Sequence, residues 1–262
     1  MSVLETYRNL YRLDGKVALV AGGAGGIGTA ICEGLAAFGA TVLVCGRTRA
    51  KAESVAASIC AQGGKAVGVA LDILDLQRTR TLVDETANQF GRLDILVNCV
   101  GTHKEAPALE YREEDWDRVL DLNLKSAFFL SQAVARAQVR HGGGGKHIHI
   151  SSVRSLLGLR RGYVSYCSSK GGLNLLIKQL ATEWAPYGIT VNGIAPTFTR
   201  TDLVKDYLED PSFYNPLVAR IPLGRICEPI DLAAMAVYLA APASDFITGQ
   251  IIFADGGLTA TQ

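Results

Sequence analysis

The sequence lacks the features that mark several classes of protein. No apolar run reaches the ~18 residues that span a bilayer. The first stretch, MSVLETYRNLYRLDG, lacks the charged, apolar and small-residue order of a signal peptide. A formal net charge of only +1 gives no electrostatic footprint for nucleic acid or an anionic membrane. These absences predict a cytoplasmic protein that acts on a small molecule, with no nucleic-acid partner and no membrane partner.

Cysteine pairs and metal-ligand clusters are also missing from the sequence. The six cysteines are scattered without a CxxC pair, and most stand in apolar surroundings, so we interpret them as reduced and structural. His147 and His149 would project from one face of a strand, but no third or fourth ligand stands at a useful spacing. We therefore expect no metal site.

The pattern of apolar residues predicts the fold. Seven short apolar runs alternate with helix-length stretches: KVALVA, ATVLVC, KAVGVAL, LDILVN, KHIHIS, ITVNGIA and QIIFA. Strands that alternate with helices form a parallel sheet, and runs that are apolar at every position indicate helices on both of its faces. With no internal repeat or linker in 262 residues, we predict a single α/β domain over residues 1–262. Its expected architecture is a doubly wound Rossmann fold with a seven-stranded parallel sheet, which binds ligands beyond the carboxyl ends of the strands.

One segment breaks the alternation of strands and helices. Residues 197–228 combine helical pieces with several prolines, directly after the sixth apolar run. An excursion beside a strand's carboxyl end is typical of a substrate lid. A plain surface connection between helices is the alternative interpretation.

The segment AGGAGGIG, residues 21–28, is typical of a phosphate-binding turn. It follows an apolar run and precedes a helix-like segment, whose first N–H groups and dipole attract a pyrophosphate. Its five glycines fit GxGxxG from Gly23 and GxxxGxG from Gly22 equally well. The residues alone leave both registers open.

A group of polar residues stands where ligand chemistry is expected. Tyr166 and Lys170 are four residues apart and share a helix face, Ser151 and Ser152 end the fifth strand, and Asn123 stands in an apolar stretch. Hydride transfer to a ketone creates an alkoxide that must gain a proton. A tyrosine supplies that proton only if its pKa falls from ~10 toward neutrality. We expect the Lys170 ammonium to lower the pKa of Tyr166 in this way.

The motifs AGGAGGIG, NCVG, DLNL, ISS, YCSSK and IAPTFTRTDL, in this order, resemble the short-chain dehydrogenase/reductase family over almost the whole chain. The glycine pattern of that family is GxxxGxG, so the resemblance selects the register of Gly22. It implies a homotetramer or homodimer, and a catalytic tetrad of Asn123, Ser152, Tyr166 and Lys170. Ser151 is the alternative to Ser152, because the spacing to Tyr166 is one residue longer than is usual in the family.

The resemblance also implies a nicotinamide cofactor. The residues expected to bind it are Gly22, Gly26, Ile27, Gly28, Arg47, Asp72, Asn98, Gly101, Tyr166, Lys170, Pro196, Thr199 and Thr201. At the end of the second strand, Gly46 replaces the acidic residue that would bind two ribose hydroxyls, and Arg47 follows it. Since a guanidinium pairs with a 2′-phosphate, we expect NADP to be preferred, with NAD as the alternative. An exposed loop arginine is the other interpretation of Arg47.

Basic residues in two loops suggest the substrate. They are His103, Lys104, Arg154, Arg160 and Arg161. Of these we expect His103 and Arg154 to contact the substrate, together with Ser152 and Tyr166. The fork of an arginine matches both oxygens of a carboxylate, so we expect a small polar hydroxy or keto compound that carries one. Solvated loop charges or intersubunit ion pairs are the alternative interpretation.

Two long stretches indicate a smaller group within this family. They are APALEYREEDWDRVLDLNLKSAFFLSQAV and IPLGRICEPIDLAAMAVYLAAPASDFITGQ. They are similar to sugar-acid and polyol dehydrogenases of the gluconate 5-dehydrogenase type. This implies an NAD(P)-dependent oxidoreductase that interconverts a secondary alcohol and a ketone on a sugar acid or polyol. A 3-oxoacyl-carrier-protein reductase is the alternative enzyme. A catalytically silent nucleotide-sensing scaffold is the alternative outside enzymes, and it would be expected to lack Tyr166, Lys170 or Ser152.

Overall fold

The computed structural model describes residues 2–160 and 162–261. All seven apolar runs form strands, with ends within two residues of the predicted ones, and all pair in parallel in the order β3-β2-β1-β4-β5-β6-β7. The strands are β1 (Val17–Ala21), β2 (Thr41–Gly46), β3 (Lys65–Ala70), β4 (Ile95–Asn98), β5 (Gly145–Ile150), β6 (Ile189–Pro196) and β7 (Ile251–Ala254). The prediction of a seven-stranded parallel sheet is confirmed.

Helices connect these strands and flank the sheet. They are α1 (Val3–Asn9), α2 (Gly26–Ala37), α3 (Arg49–Ala61), α4 (Leu76–Phe90), α5 (Glu113–Leu120), α6 (Ser126–Arg140), α7 (Val164–Trp184), α8 (Lys205–Glu209), α9 (Pro211–Val218) and α10 (Pro229–Ala240). A π-helical turn, Asp121–Lys125, joins α5 to α6.

The core lies on both faces of the sheet, because alternate residues of each strand point to opposite sides. On β1, Ala18 and Val20 pack with α2, α3 and α10, whereas Val17 and Leu19 pack with α4 and α6. A further cluster joins α6 and α7 to β6. The doubly wound arrangement is therefore confirmed. Because helices cover both faces of the sheet, we expect the site at the carboxyl ends of the strands.

The strand order places a crevice between β1 and β4. The chain runs outward from β1 to β2 and β3, then returns to place β4 on the other side of β1. The connections after β1 and β4 leave in opposite directions at this point, and open parallel sheets bind their ligands there. The glycine-rich turn follows β1, and the NCVG segment (98–101) includes the end of β4.

Other features of the fold bear on function class. All six cysteines are free thiols. Within the described residues, no helix is long and apolar enough to cross a membrane, and no cluster of three or more His, Cys, Asp or Glu side chains could hold a metal ion.

Candidate active site

The glycine-rich turn is crowded at four positions: a Cβ at Gly23 would lie 3.0 Å from the Val20 carbonyl oxygen and from Cys32 Sγ, and the other three positions are more restrictive. Gly22 has a φ of +77°, and a Cβ at Gly28 would lie 2.1 Å from the carbonyl oxygen of Gly22. A Cβ at Gly26 would lie 2.7 Å from Thr201 Cγ2. At Gly25 the nearest atom would be 3.4 Å away, an ordinary contact. The positions that reject a side chain most strongly therefore follow GxxxGxG, and this is the register that the structure adopts.

A groove of about 320 Å³ runs from this turn toward the end of β2. Gly22, Gly46, Arg47 and Gly101 line it, and so does Lys51, which the sequence analysis missed. Among the described side chains, none of the ion pairs involves Arg47 or Lys51. The groove thus combines a tight glycine turn, the start of α2 and two cations, which fits a dinucleotide with an additional phosphate.

Asp72 and Asn98 are among the expected cofactor residues that do not line this groove. Asp72 is exposed, and its carboxylate accepts a hydrogen bond from the Leu74 N–H at 3.0 Å. Asn98 is buried, and its side-chain oxygen accepts from the Val100 N–H at 3.0 Å. Asn98 therefore shapes the loop after β4, and direct contact of either residue with the cofactor stays a prediction.

A second cavity of about 220 Å³ continues from the groove, because Cys99 and Gly101 line both spaces. Seven further expected residues line it, namely Ile27, Ser152, Tyr166, Lys170, Pro196, Thr199 and Thr201, whereas Gly26 and Gly28 line neither space. Residues of 197–228 supply one wall, including Phe198 and Val204. The excursion therefore takes part in the site and is more than a surface connection.

Tyr166, Lys170 and Ser152 meet at this junction. Lys170 is buried on α7, its Nζ donates to the Ile150 carbonyl at 2.8 Å, and it lies 5.8 Å from the centre of the Tyr166 ring. Ser152 and Tyr166 line the same cavity, and the Ser152 side chain acts to lower the pKa of Tyr166. Ser151 instead donates its hydroxyl to Asn174 Oδ1 at 2.6 Å. This geometry favours Ser152 over Ser151 as the hydroxyl beside Tyr166.

The pKa of Tyr166 is raised overall, whereas the sequence predicted that Lys170 would lower it. Burial raises the pKa of Tyr166 above its usual value, while the Ser152 hydrogen bond and the Arg154 charge act in the opposite direction. The same burial lowers the pKa of Lys170 to about 8. Desolvation outweighs the charges at this point, so Tyr166 is a neutral phenol that holds a proton at neutral pH.

Asn123 lies in the π-helical turn between α5 and α6 and is buried. Its side-chain oxygen accepts from the Thr102 N–H at 2.8 Å, and its amide nitrogen donates to the Thr102 carbonyl at 2.8 Å and to Ser169 Oγ at 2.9 Å. Asn123 thereby ties the loop after β4 to α7, next to Lys170. Its expected role in holding a proton-relay water stays a prediction.

The expected substrate residues His103 and Arg154 both line the second cavity. Arg154 is only 7% exposed, and one of its terminal N–H groups donates to the Gly158 carbonyl at 3.0 Å. No carboxylate among the described residues pairs with it. Burial lowers its pKa, and the nearby charge of Arg220 does so too. A buried cation without an acidic partner is costly, so the site favours an anionic ligand.

The other basic loop residues behave differently. Lys104 and Arg160 are exposed and do not line the cavity. Arg161 lies outside the described residues. Tyr163, which the sequence analysis did not single out, lines the cavity beside Tyr166. The basic loop residues therefore converge on the site only in part, through His103 and Arg154.

Comparisons with known proteins agree with this geometry. A family model described as enoyl-(acyl carrier protein) reductase matches residues 22–259. A tropinone reductase homologue of Arabidopsis thaliana is 40% identical over 250 residues, which cover 95% of this chain and 94% of the relative. Gluconate 5-dehydrogenase of Gluconobacter oxydans (strain 621H) is 35% identical, over 97% of this chain and 98% of the relative. The chain belongs to the short-chain dehydrogenase/reductase family.

A solved structure extends the comparison to the fold. The crystal structure of a gluconate 5-dehydrogenase from Burkholderia cenocepacia J2315, in complex with NADP and tartrate, has a TM-score of 0.92 to this chain. It is 37% identical in sequence, and the match covers 97% of this chain and 99% of that one. As a member of this family, the chain is an NAD(P)-dependent oxidoreductase that interconverts a secondary alcohol and a ketone.

Proposed function

We propose that this short-chain dehydrogenase/reductase acts on a sugar acid or a closely related hydroxy acid, with NADP as its preferred cofactor. The observation that carries the proposal is Arg154, a buried guanidinium in the wall of the cavity without an acidic partner among the described residues. A substrate carboxylate would supply the missing negative charge and would be oriented by the planar fork. The complex of the Burkholderia relative with tartrate, a small hydroxy acid, supports this choice.

The roles of the catalytic residues follow from their places around the cavity. A nicotinamide cofactor held by the glycine-rich turn and the groove residues would supply or accept the hydride. Tyr166 holds a proton at its hydroxyl and donates it to the oxygen of the reduced carbonyl. Ser152 hydrogen-bonds that same oxygen and so stabilises its developing charge. Lys170 places a cation within 5.8 Å of the Tyr166 ring, which favours the phenolate that remains after proton transfer.

NADP is supported by two cations in the nucleotide groove. Arg47 directly follows Gly46, and Lys51 lies four residues further along, in the first turn of α3. Both can pair with a 2′-phosphate, and no carboxylate at position 46 competes for the ribose. The NADP in the Burkholderia complex supports the same preference.

We also propose that residues 197–228 act as a lid over the bound substrate. Phe198, Val204 and Tyr207 line the cavity from this segment. Closure of such a segment excludes water from the reacting atoms.

Assembly into a homotetramer or homodimer is a further part of the proposal. Apolar side chains are exposed on α6 and α7, where Val139 is 42% and Leu175 69% exposed. Exposed apolar surface of this kind favours burial against another subunit. Sedimentation velocity of the full chain tests this, and a monomer at micromolar concentration would contradict it.

The substrate proposal is tested by a screen of matched compounds. Sugar acids are compared with the corresponding uncharged polyols and with short 3-oxoacyl thioesters, by following NADPH absorbance. Arg154→Ala is then measured on the best acid. We expect acids to have the highest kcat/KM, and Arg154→Ala to raise the KM for the acid at least about tenfold, because a charged hydrogen bond is lost.

Arg78→Ala is the control, since Arg78 is an exposed residue of α4 and pairs with Glu85 at 3.0 Å. We expect it to leave the KM for the acid unchanged. If polyols are turned over better than every acid, or if Arg154→Ala leaves that KM unchanged, the carboxylate proposal is wrong. A clear preference for the thioesters would support a carrier-protein reductase instead.

A further inference from the structure

Three aromatic rings form a corner of the substrate cavity. His103 and Tyr163 are stacked, with ring centres 5.2 Å apart and planes 10° apart. Both lie roughly perpendicular to the Tyr166 ring, at angles of 76° and 81° and centre distances of 6.1 and 5.9 Å. All three residues line the cavity. We call His103 and Tyr163 the aromatic wall, and it touches the ring that carries the proposed proton donor.

The two residues of the aromatic wall come from different loops. His103 follows β4, whereas Tyr163 directly precedes α7. A stack between two loops keeps its geometry only if the loops are fixed to each other. Besides the contacts of Asn123, two further connections join the described parts of these loops.

The first connection runs through Tyr111. Its hydroxyl donates to the Lys104 carbonyl at 3.2 Å and is hydrogen-bonded to Ser165 Oγ. A phenol has one proton, so when it donates to Lys104 the Ser165 hydroxyl donates to it. Ser165 is fully buried and is adjacent to Tyr166. Tyr111 thereby fastens the residue after His103 to the first turn of α7.

The second connection is between backbones. The Ala106 N–H donates to the Gly162 carbonyl at 3.1 Å. Gly162 has a φ of +71°, and a Cβ there would lie 2.2 Å from the Ala106 carbonyl oxygen. Only glycine allows the two loops to approach this closely. The aromatic wall is therefore held at two points and does not depend on the stacking contact alone.

We propose that the aromatic wall is a specificity-determining surface that contacts the carbon skeleton of the substrate, and that Tyr111 is its positioning residue. The proposal rests on the proposed function, in which Arg154 holds the anionic end. The rest of the cavity is rich in apolar side chains, including Val153, Leu159 and Phe198. The aromatic faces extend this surface to Tyr166, so C–H groups next to the reacting carbon pack against them.

The first test separates ring packing from hydrogen bonding. His103→Ala and Tyr163→Ala are compared with His103→Phe and Tyr163→Phe, which keep a flat ring. We expect each alanine variant to raise the substrate KM about tenfold with kcat changed less than about threefold, and each phenylalanine variant to stay within about threefold of wild type. The NADPH Kd, measured by fluorescence, should be unchanged. Tyr7→Ala, which removes an exposed ring of α1, is the control.

Two different results would contradict the proposed role of the aromatic wall. If the phenylalanine variants are as impaired as the alanine variants, the polar atoms act rather than the ring faces. If kcat falls while KM is unchanged, the residues act on the chemical step. The measurement uses whichever ketone the wild type reduces best. A failed preference for acids therefore overturns the proposed function and leaves this test intact.

The second test is a double-mutant cycle for Tyr111. Tyr111→Phe removes both hydroxyl contacts and should raise the substrate KM about threefold, with kcat and thermal unfolding near wild type. In the His103→Ala background the same change should have no further effect, because the His103–Tyr163 stack that Tyr111 positions is already lost. Additive effects in the double variant would contradict a positioning role.

Discussion

At the scale of single residues, we expect position 46 to determine the choice between NADP and NAD. We predict that Gly46→Asp lowers kcat/KM for NADPH relative to NADH by at least about tenfold, because a carboxylate repels the 2′-phosphate and competes for Arg47. Steady-state kinetics with both cofactors measure this ratio. A wild-type enzyme that uses NADH as efficiently as NADPH would contradict the NADP preference.

Gly46→Ala is the control for the shape of the groove. A Cβ at this position would lie 3.3 Å from Ala24 Cβ, so a small adjustment accommodates it. We expect this variant to keep the wild-type preference. An equal shift in both variants would assign the effect to packing rather than to charge.

The sequence predicted single residues well where a chemical role fixes both the residue type and the spacing. Tyr166, Lys170 and Ser152 were predicted in this way, and the structure brings them together at one junction. Lys51 was missed, although it lies only four residues after Arg47, in the first turn of α3. Tyr163 had no such signal, because its place in the wall depends on a loop-to-loop contact with His103.

At the scale of elements, the strands were predictable because fully buried parallel strands are continuously apolar. Helix α1 was not predicted, although its start carries a signal in SVLE: Ser2 and Glu5 form a reciprocal capping box. The π-helical turn that carries Asn123 had no signal in the sequence. A π-turn inserts a residue without changing the apolar pattern enough to be recognised.

The register of the glycine-rich turn could not be predicted from the residues alone. Two patterns fit its five glycines, and the residues alone do not distinguish them. The decision depends on contacts with distant parts of the chain, since Thr201 is what excludes a side chain at Gly26. The family resemblance supplied that information before the structure did.

The stability of the whole molecule should depend on pH through two buried histidines of β5. His147 bonds to Gln138 Oε1 at 3.0 Å and His149 to Ser131 Oγ at 3.2 Å, while neither Nδ1 has a partner. Burial lowers the pKa of His147 to about 3 and that of His149 to about 4. Both are neutral in the folded protein at pH 5, whereas the unfolded chain binds protons below pH 6.5.

The contribution of these two histidines to the free energy of unfolding should therefore be constant above about pH 7 and fall as the pH drops through 6.5 toward 4. Each histidine contributes ~1.4 kcal/mol per pH unit in the steep part. Urea unfolding of the wild type and of His147→Gln and His149→Gln measures the slope between pH 6 and 5. In each variant the number of protons taken up on unfolding should be smaller by up to one. His141→Gln, at an exposed position, should not reduce the slope, and an unchanged slope in both buried variants would contradict this account.

For the whole molecule we propose reversible reduction of a carbonyl with NADP as the cofactor and Tyr166 as the proton donor. The most direct measurement is the turnover of NADPH by Tyr166→Phe and by the wild type on the best substrate of the screen, beside the NADPH Kd of each. We predict an unchanged Kd and a loss of at least about a hundredfold in kcat, because only the proton donor is removed. If the variant binds NADPH and keeps more than about a tenth of the wild-type turnover, Tyr166 is not the acid and the proposed mechanism is wrong.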